Sequence, residues 1–436
     1  MDKPIIRTRR NFLTHGLGIV GVGASLPNFL IRSAMAGPAA ETDQPILVVV
    51  QLDGGNDGLA SIIPYADEAY PENRPTLRVP DTDLLKIDGY SAFSPALTHF
   101  KQMFDDNQLA VVQAVGYPNG NKSHFKSMDI WHTANPTYTR IPREESYGWL
   151  GRYCDTAFED VIDSKLSIAI KVGKSPMAIR GRIHPGLELK DTRSFRYMAA
   201  GDNMRKEKLY QDLNSSDTLP EDASSSLDFI TKTSSNANRA SNEIMELIRK
   251  RGTESSYPDS RLGESLQMVS AMIKGNLSTR VFYVSQGGYD THANQEQRHL
   301  QLMTEFSTAM AAFQADLKAQ GNADRVLTMA FSEFGRRVKE NGGGARRGTD
   351  HGAANSFFLM GGGVRGGVYG GQPDLSALEK GNLKYKIDFR SVYSKVIEGW
   401  LGGNATSVFD QAVYDGVIRP QLPDLACFTS DASVKG

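Results

Sequence analysis

The run Ile46 to Leu52, ILVVVQL, is dense in β-branched residues and shows no regular alternation of apolar and polar positions. A short strand of that kind is buried on both faces, which is the situation of a strand inside a parallel sheet covered by helices on each side. The run ends on Asp53 and opens into the glycine-rich DGGNDG. That pattern then recurs along the chain.

Leu109 to Val115 follows the helix-like PALTHFKQMF and leads into NKSHFKSMDIW, where Ser123 stands at a helix start. Arg280 to Ser285 reads as a strand with Asp290 and His292 just beyond it. A long helix follows, with Leu302, Phe306, Met310, Phe313 and Leu317 on one face. Arg325 to Phe331 is the next strand, with Glu333 after it; Asp350 and His351 precede a strand at Phe357 to Met360, and RSVYSKVIEGWLG is a closing helix. Strands alternating with helices imply an α/β fold with a mostly parallel central sheet flanked by helices. Such sheets bind ligands beyond the carboxyl ends of their strands, where Asp53, Asp290, His292 and Glu333 all fall. Between them, KLSIAIKVG and PMAIRG read as strands, and the more polar segment 185–274 is a candidate helical insertion or cap within a single domain spanning 37–436.

The first 36 residues stand apart. A twin-arginine sequence, TRRNFLT, precedes a weakly apolar stretch from Gly16 to Leu30 and then AMA at Ala34 to Ala36. These are the parts of a twin-arginine signal peptide, in order. The expectation is a bacterial protein exported by the twin-arginine translocase to the periplasm or beyond, with no permanent membrane span. A formal net charge of −1 carries no basic excess and speaks against nucleic acid as a partner. Two cysteines, Cys154 and Cys427, make no disulfide framework and no zinc cluster, though one bridge between them stays open.

Carboxylates mixed with imidazoles suit a divalent ion such as Zn or Mn, whereas an all-oxygen set suits Mg or Ca. One or two such ions support hydrolysis of an ester, either by clamping the attacking and leaving oxygens or beside an activated hydroxyl. Each residue also has a plainer role. Asp53 and Asp57 suit Asx turns, Asp290 and His292 a turn and cap, and Glu333 a surface pair with Arg336 or Arg337. His124 and His132 read as ordinary helix residues, and Arg346 and Arg347 as solvated cations.

The ordered set LDGGNDGL, NKSHFKSMDIW, GGYDTHANQ, FSEFGRRVKENGG and GTDHGAANSFFLMGGGV resembles the DUF1501 family of exported bacterial proteins, placed in the alkaline phosphatase and sulfatase superfamily. The resemblance implies an alkaline phosphatase-like fold and a metal site. It makes Asp53 the first metal-binding acid and Asp350 and His351 the adjacent Asp-His pair. Asp290 and His292 correspond to the other metal position and Glu333 to an accessory ligand. Ser123 becomes the nucleophile, with Ser127 the alternative. The function so implied is an exported metal-dependent hydrolase of a phosphate or sulfate ester. No histidine follows His351, and the C-x-P-x-R motif of formylglycine sulfatases does not occur. The alternative is a non-catalytic envelope protein of the same fold that binds a partner or polymer.

Overall fold

The computed structural model describes residues 44–136, 146–159, 167–170, 176–184, 186–189, 255–344, 347–409 and 427–428. The twin-arginine segment, Arg346 and residues 190–254 of the expected insertion lie outside the described residues.

The described strands of the main sheet are β1 (Ile46–Asp53), β2 (Leu109–Gly116), β3 (Ser167–Ile170), β4 (Leu187–Leu189), β5 (Val281–Gly287), β6 (Val326–Phe331), β7 (Asn355–Gly361), β8 (Gly367–Tyr369) and β9 (Ile387–Asp388). Their order is β8-β2-β7-β6-β1-β5-β3-β4, with β9 also on β2. β1 lies mid-sheet with parallel neighbours on both sides, Val49 standing opposite Tyr283 of β5 and Met329 of β6.

Both faces of β1 are covered, as its lack of alternation requires. Leu47 and Val49 face one apolar cluster with Trp131, Trp149 and Tyr393; Val48 and Val50 face another with Phe100, Leu266, Phe306 and Phe313. The first cluster belongs to α2 (His124–Thr133), α3 (Trp149–Ala157) and α6 (Phe389–Gly399), and the second to α1 (Thr98–Asp105), α4 (Arg261–Lys274) and α5 (Gln295–Ala319). Each fully buried large apolar side chain contributes roughly 1.5–3 kcal/mol relative to exposure, so these two layers hold the sheet in place. The five apolar positions read along α5 are all buried. α4, the last part of the 185–274 segment, is capped by Ser260, whose side chain accepts from Gly263 N, and it packs in the layer beside the sheet. Cys154 and Cys427 are buried in the first cluster, with no disulfide between them. Among the described residues no helix is long and apolar enough to cross a membrane.

The sheet is mixed because of β7, which runs antiparallel to both β2 and β6. The physical reason is local: among the described residues from Ser332 to Ala354 there is no crossover helix, and a strand that returns without one runs back alongside its neighbour. The consequence decides where Asp350 and His351 lie. The start of an antiparallel strand sits at the same sheet edge as the ends of the parallel ones. The adjacent Asp-His pair therefore meets the residues that leave β1, β2, β5 and β6.

Candidate metal centre

The loops at this edge touch backbone to backbone, which two glycines make possible. Gly54, at φ +120°, leaves no room for a Cβ, which would stand 2.6 Å from Asp290 N. At Gly348 a Cβ would stand 2.3 Å from the His292 carbonyl carbon. Arg336 then ties the loops together: its buried guanidinium donates to the carbonyls of Gly54, Gly55, Tyr289 and Thr349, and at 2.8 Å to Asp290 Oδ1. The plain pairing of Glu333 with Arg336 is absent. Glu333 is fully buried, and Arg336 pairs with Asp290 instead.

Three imidazoles gather around Asp290. His351 Nδ1 lies 2.8 Å from the Lys122 carbonyl, which can only accept, so Nδ1 carries the hydrogen. His292 Nδ1 lies 2.9 Å from Asp350 Oδ1. The imidazole of His292 is the main reason the Asp350 carboxyl is held below its ordinary range, so this oxygen is an acceptor too. His124 Nδ1 lies 2.8 Å from Glu333 Oε1, which also accepts the Gly54 N–H at 3.0 Å. Each ring therefore turns its Nε2 lone pair inward.

Those lone pairs converge. His292 Nε2 and His351 Nε2 are 3.1 Å apart, and each is 3.0 Å from Asp290 Oδ1. His124 Nε2 is buried without a hydrogen-bond partner and lies 3.5 Å from Asp290 Oδ2. His124, Asp290 and His351 each offer a ligand atom within 4.8 Å of one another. Acceptors packed this closely repel one another unless a cation or proton stands among them. The spacing of His124, Asp290 and His351 suits donors around one small ion, whose bonds run about 2.0–2.2 Å, and His292 stands beside this group. Partial burial would raise the Asp290 carboxyl, but the hydrogen bond from Arg336 and the imidazoles beside it outweigh that and hold the group at about 2. Asp290 is thus an anion, 48% exposed and open to a ligand.

The remaining expected residues flank this group. Asp53 is exposed at the end of β1, and its carboxyl is pushed up by burial of its charged atoms and by Glu333. A positive charge placed beside Asp53 would act against both causes. Ser123 is the exposed N-cap of α2, and its hydroxyl makes no capping bond. Ser127 is fully buried and donates to the Glu333 carbonyl at 2.6 Å. Lys122 has its ammonium pKa lowered by partial burial and then by Arg337 and Lys380. Arg347 is paired with Glu296 at 3.0 Å. His132 is a buried helix residue on Tyr283 Oη and Gln51, away from the cluster.

His124 is the residue that sequence reasoning missed. Its signal was position: it follows Ser123 in the first turn of the helix that leaves β2, at the sheet edge where the acids collect. Asn341 was also missed; its amide donates to Asp350 Oδ1 and to the His292 carbonyl, both at 3.1 Å.

No curated protein matches the chain. Among solved structures, the PsFucS1 sulfatase from Pseudoalteromonas sp. is 12% identical with a TM-score of 0.36, covering 94% of this chain and 76% of that one. The C-terminal periplasmic domain of EcEptC from Escherichia coli, in complex with Zn, is 9% identical with a TM-score of 0.34, over 75% of this chain and 77% of that one. A protein in the alkaline phosphatase superfamily from Vibrio parahaemolyticus is 8% identical with a TM-score of 0.31, over 84% and 71%. Scores this low say nothing about activity. The family described as "Protein of unknown function (DUF1501)" matches residues 46–386, most of the sequence, and the chain belongs to it.

Proposed function

We propose that the protein is an exported metal-dependent hydrolase of a phosphate or sulfate ester, with Ser123 as nucleophile and Zn or Mn as the ion. The observation that carries this reading is the convergence of three imidazole Nε2 atoms on the Asp290 carboxylate. His124, Asp290, His292 and His351 would hold the ion, and their mixture of nitrogen and oxygen fits such a metal. Asp53, Glu333 and Asp350, the other acids that the family resemblance implies as ligands, stand around this group. A bound divalent ion would polarise the ester and stabilise negative charge on the transferred group.

The chain's own residues supply the rest. Ser123 precedes a ten-residue helix, whose N-terminal end carries the positive pole of the helix dipole and favours an anionic ester. Its exposed hydroxyl is available to attack phosphorus or sulfur while the alcohol departs. Ser127, buried and engaged with the Glu333 carbonyl, is not. Lys122, with Arg337 and Lys380 near it, adds a positive field for the same anion. The export assignment rests on the twin-arginine leader.

The test begins with elemental analysis of a protein comprising residues 37–436, beside its Asp290→Ala variant. A divalent ion near one per chain or above, lost in the variant, is expected. Turnover of a panel of phosphate and sulfate esters should then fall by at least ~10²-fold in Ser123→Ala. Stoichiometric metal without turnover of any ester would overturn the hydrolase reading in favour of the binding protein.

A further inference from the structure

We infer that Glu333 and Asp350 are positioning residues, which with the Lys122 carbonyl hold three imidazoles by Nδ1 so that their Nε2 atoms and Asp290 form the donor set of a single ion. The inference rests on the metal-centre reading above and divides the labour within it. The family resemblance makes both carboxylates ligands, so this assignment departs from it.

The geometry around each carboxylate carries the argument. Glu333 Oε1 accepts from His124 Nδ1 at 2.8 Å and from Gly54 N at 3.0 Å, which fills both of its in-plane lone pairs. Its Oε2 lies 3.0 Å from the Ser332 hydroxyl, and the whole side chain is enclosed. Asp350 Oδ1 is filled in the same way, by His292 Nδ1 at 2.9 Å and Asn341 Nδ2 at 3.1 Å. In both cases the oxygen that touches the imidazole has no electron pair left for an ion.

The three contacts also link different loops. His124, at the start of α2, is held by the loop after β6; His292, after β5, is held by the loop before β7; His351, before β7, is held by the loop before α2. No imidazole is oriented by its own segment. Outer partners of this sort fix the tautomer and direction of metal-binding histidines, and their loss weakens metal binding by roughly 10–100-fold without removing a ligand.

The test uses the residues 37–436 protein, stripped by chelator and titrated with Co²⁺ and Zn²⁺ against a chromogenic competitor, with the visible Co²⁺ spectrum as a second readout. Glu333→Gln and Asp350→Asn keep an acceptor oxygen and should bind one ion with a loss smaller than the roughly 10-fold of a removed outer partner and an unchanged spectrum. Glu333→Ala and Asp350→Ala should bind the same single ion roughly 10–100-fold more weakly, and Asp290→Ala should bind none. Should an alanine variant fail to fold, the amide variants still decide the question. Loss of the ion in either amide variant, or two ions in the native protein with one lost in Asp350→Asn, would overturn the assignment. The hydrolase reading fails separately: the expected binding pattern without ester turnover leaves the positioning roles standing, while a native protein that binds no ion removes both.

Discussion

Asp53 and Asp57 stand four residues apart in one motif, DGGND, and the fold gives them opposite fates. Asp57 is fully buried. Its carboxylate caps the helical turn that follows by accepting from Leu59 N, pairs with Arg74 at 2.6 Å, and takes a bond from Gln295, which reaches on to Thr349. Burial alone would raise its carboxyl pKa; the Arg74 guanidinium outweighs that and holds the group below its ordinary range. Asp53 is exposed, and burial of its charged atoms together with Glu333 pushes its carboxyl the other way. One acid has more compensation than it needs and the other has too little. Compensation, more than burial, separates the two acids.

The sharpest way to break the contrast is Arg74→Ala, which strands Asp57 as an unpaired buried charge. Unfolding in denaturant should show a loss of about 3–5 kcal/mol, while the fraction that stays folded still binds metal. The same buried region predicts an acid limb. His299 Nε2 donates to Asn56 Oδ1 at 2.9 Å, and burial lowers its pKa to about 4. The unfolded chain, with a histidine pKa near the ordinary ~6.5, binds more protons than the folded one between about pH 6.5 and 4. Stability should therefore fall as pH drops through that window, by at most about 1.4 kcal/mol per pH unit, and urea midpoints of His299→Gln should lose this limb.

Gly54→Ala attacks the join between the two aspartates and the Asp290 loop. A side chain at φ +120°, 2.6 Å from Asp290 N, should cost about 1–3 kcal/mol and weaken metal binding along with it. The smallest stability effect belongs to Asp53→Asn, which should stay within about 0.5 kcal/mol of native. Its Zn²⁺ affinity should nonetheless fall, because the amide no longer brings a negative charge to the edge of the site. A large stability loss in Asp53→Asn with unchanged metal binding would erase the contrast.

Much of the scaffold was legible because burial on both faces leaves a compositional mark. The runs at Ile46, Leu109, Arg280 and Arg325 are strands, and the apolar stripe of α5 is buried as its spacing requires. The direction of β7 was not legible, since a short apolar run reads the same in either orientation; only the missing crossover helix hinted at it. At the candidate metal centre, Asp290, His292, Asp350 and His351 could be singled out because they lie beside glycines at strand edges. His124 could not, because a histidine in a helical pattern carries no mark of which way its ring turns. That is set by Glu333, more than two hundred residues along the chain.

The central place of β1 bears on how the molecule comes into being. Synthesis delivers this apolar strand first among those of the sheet, whereas its two neighbours, β5 and β6, begin only at Val281 and Val326. Pairing across such intervals is slow, and an unpaired strand of this composition is prone to join other chains meanwhile. Of the elements that cover β1, α1 is made long before its strand partners and packs in the same apolar cluster as Val48 and Val50. An ion at the proposed centre would face the same schedule: His351 is the last of the cluster to be made, so loading would follow assembly of the sheet.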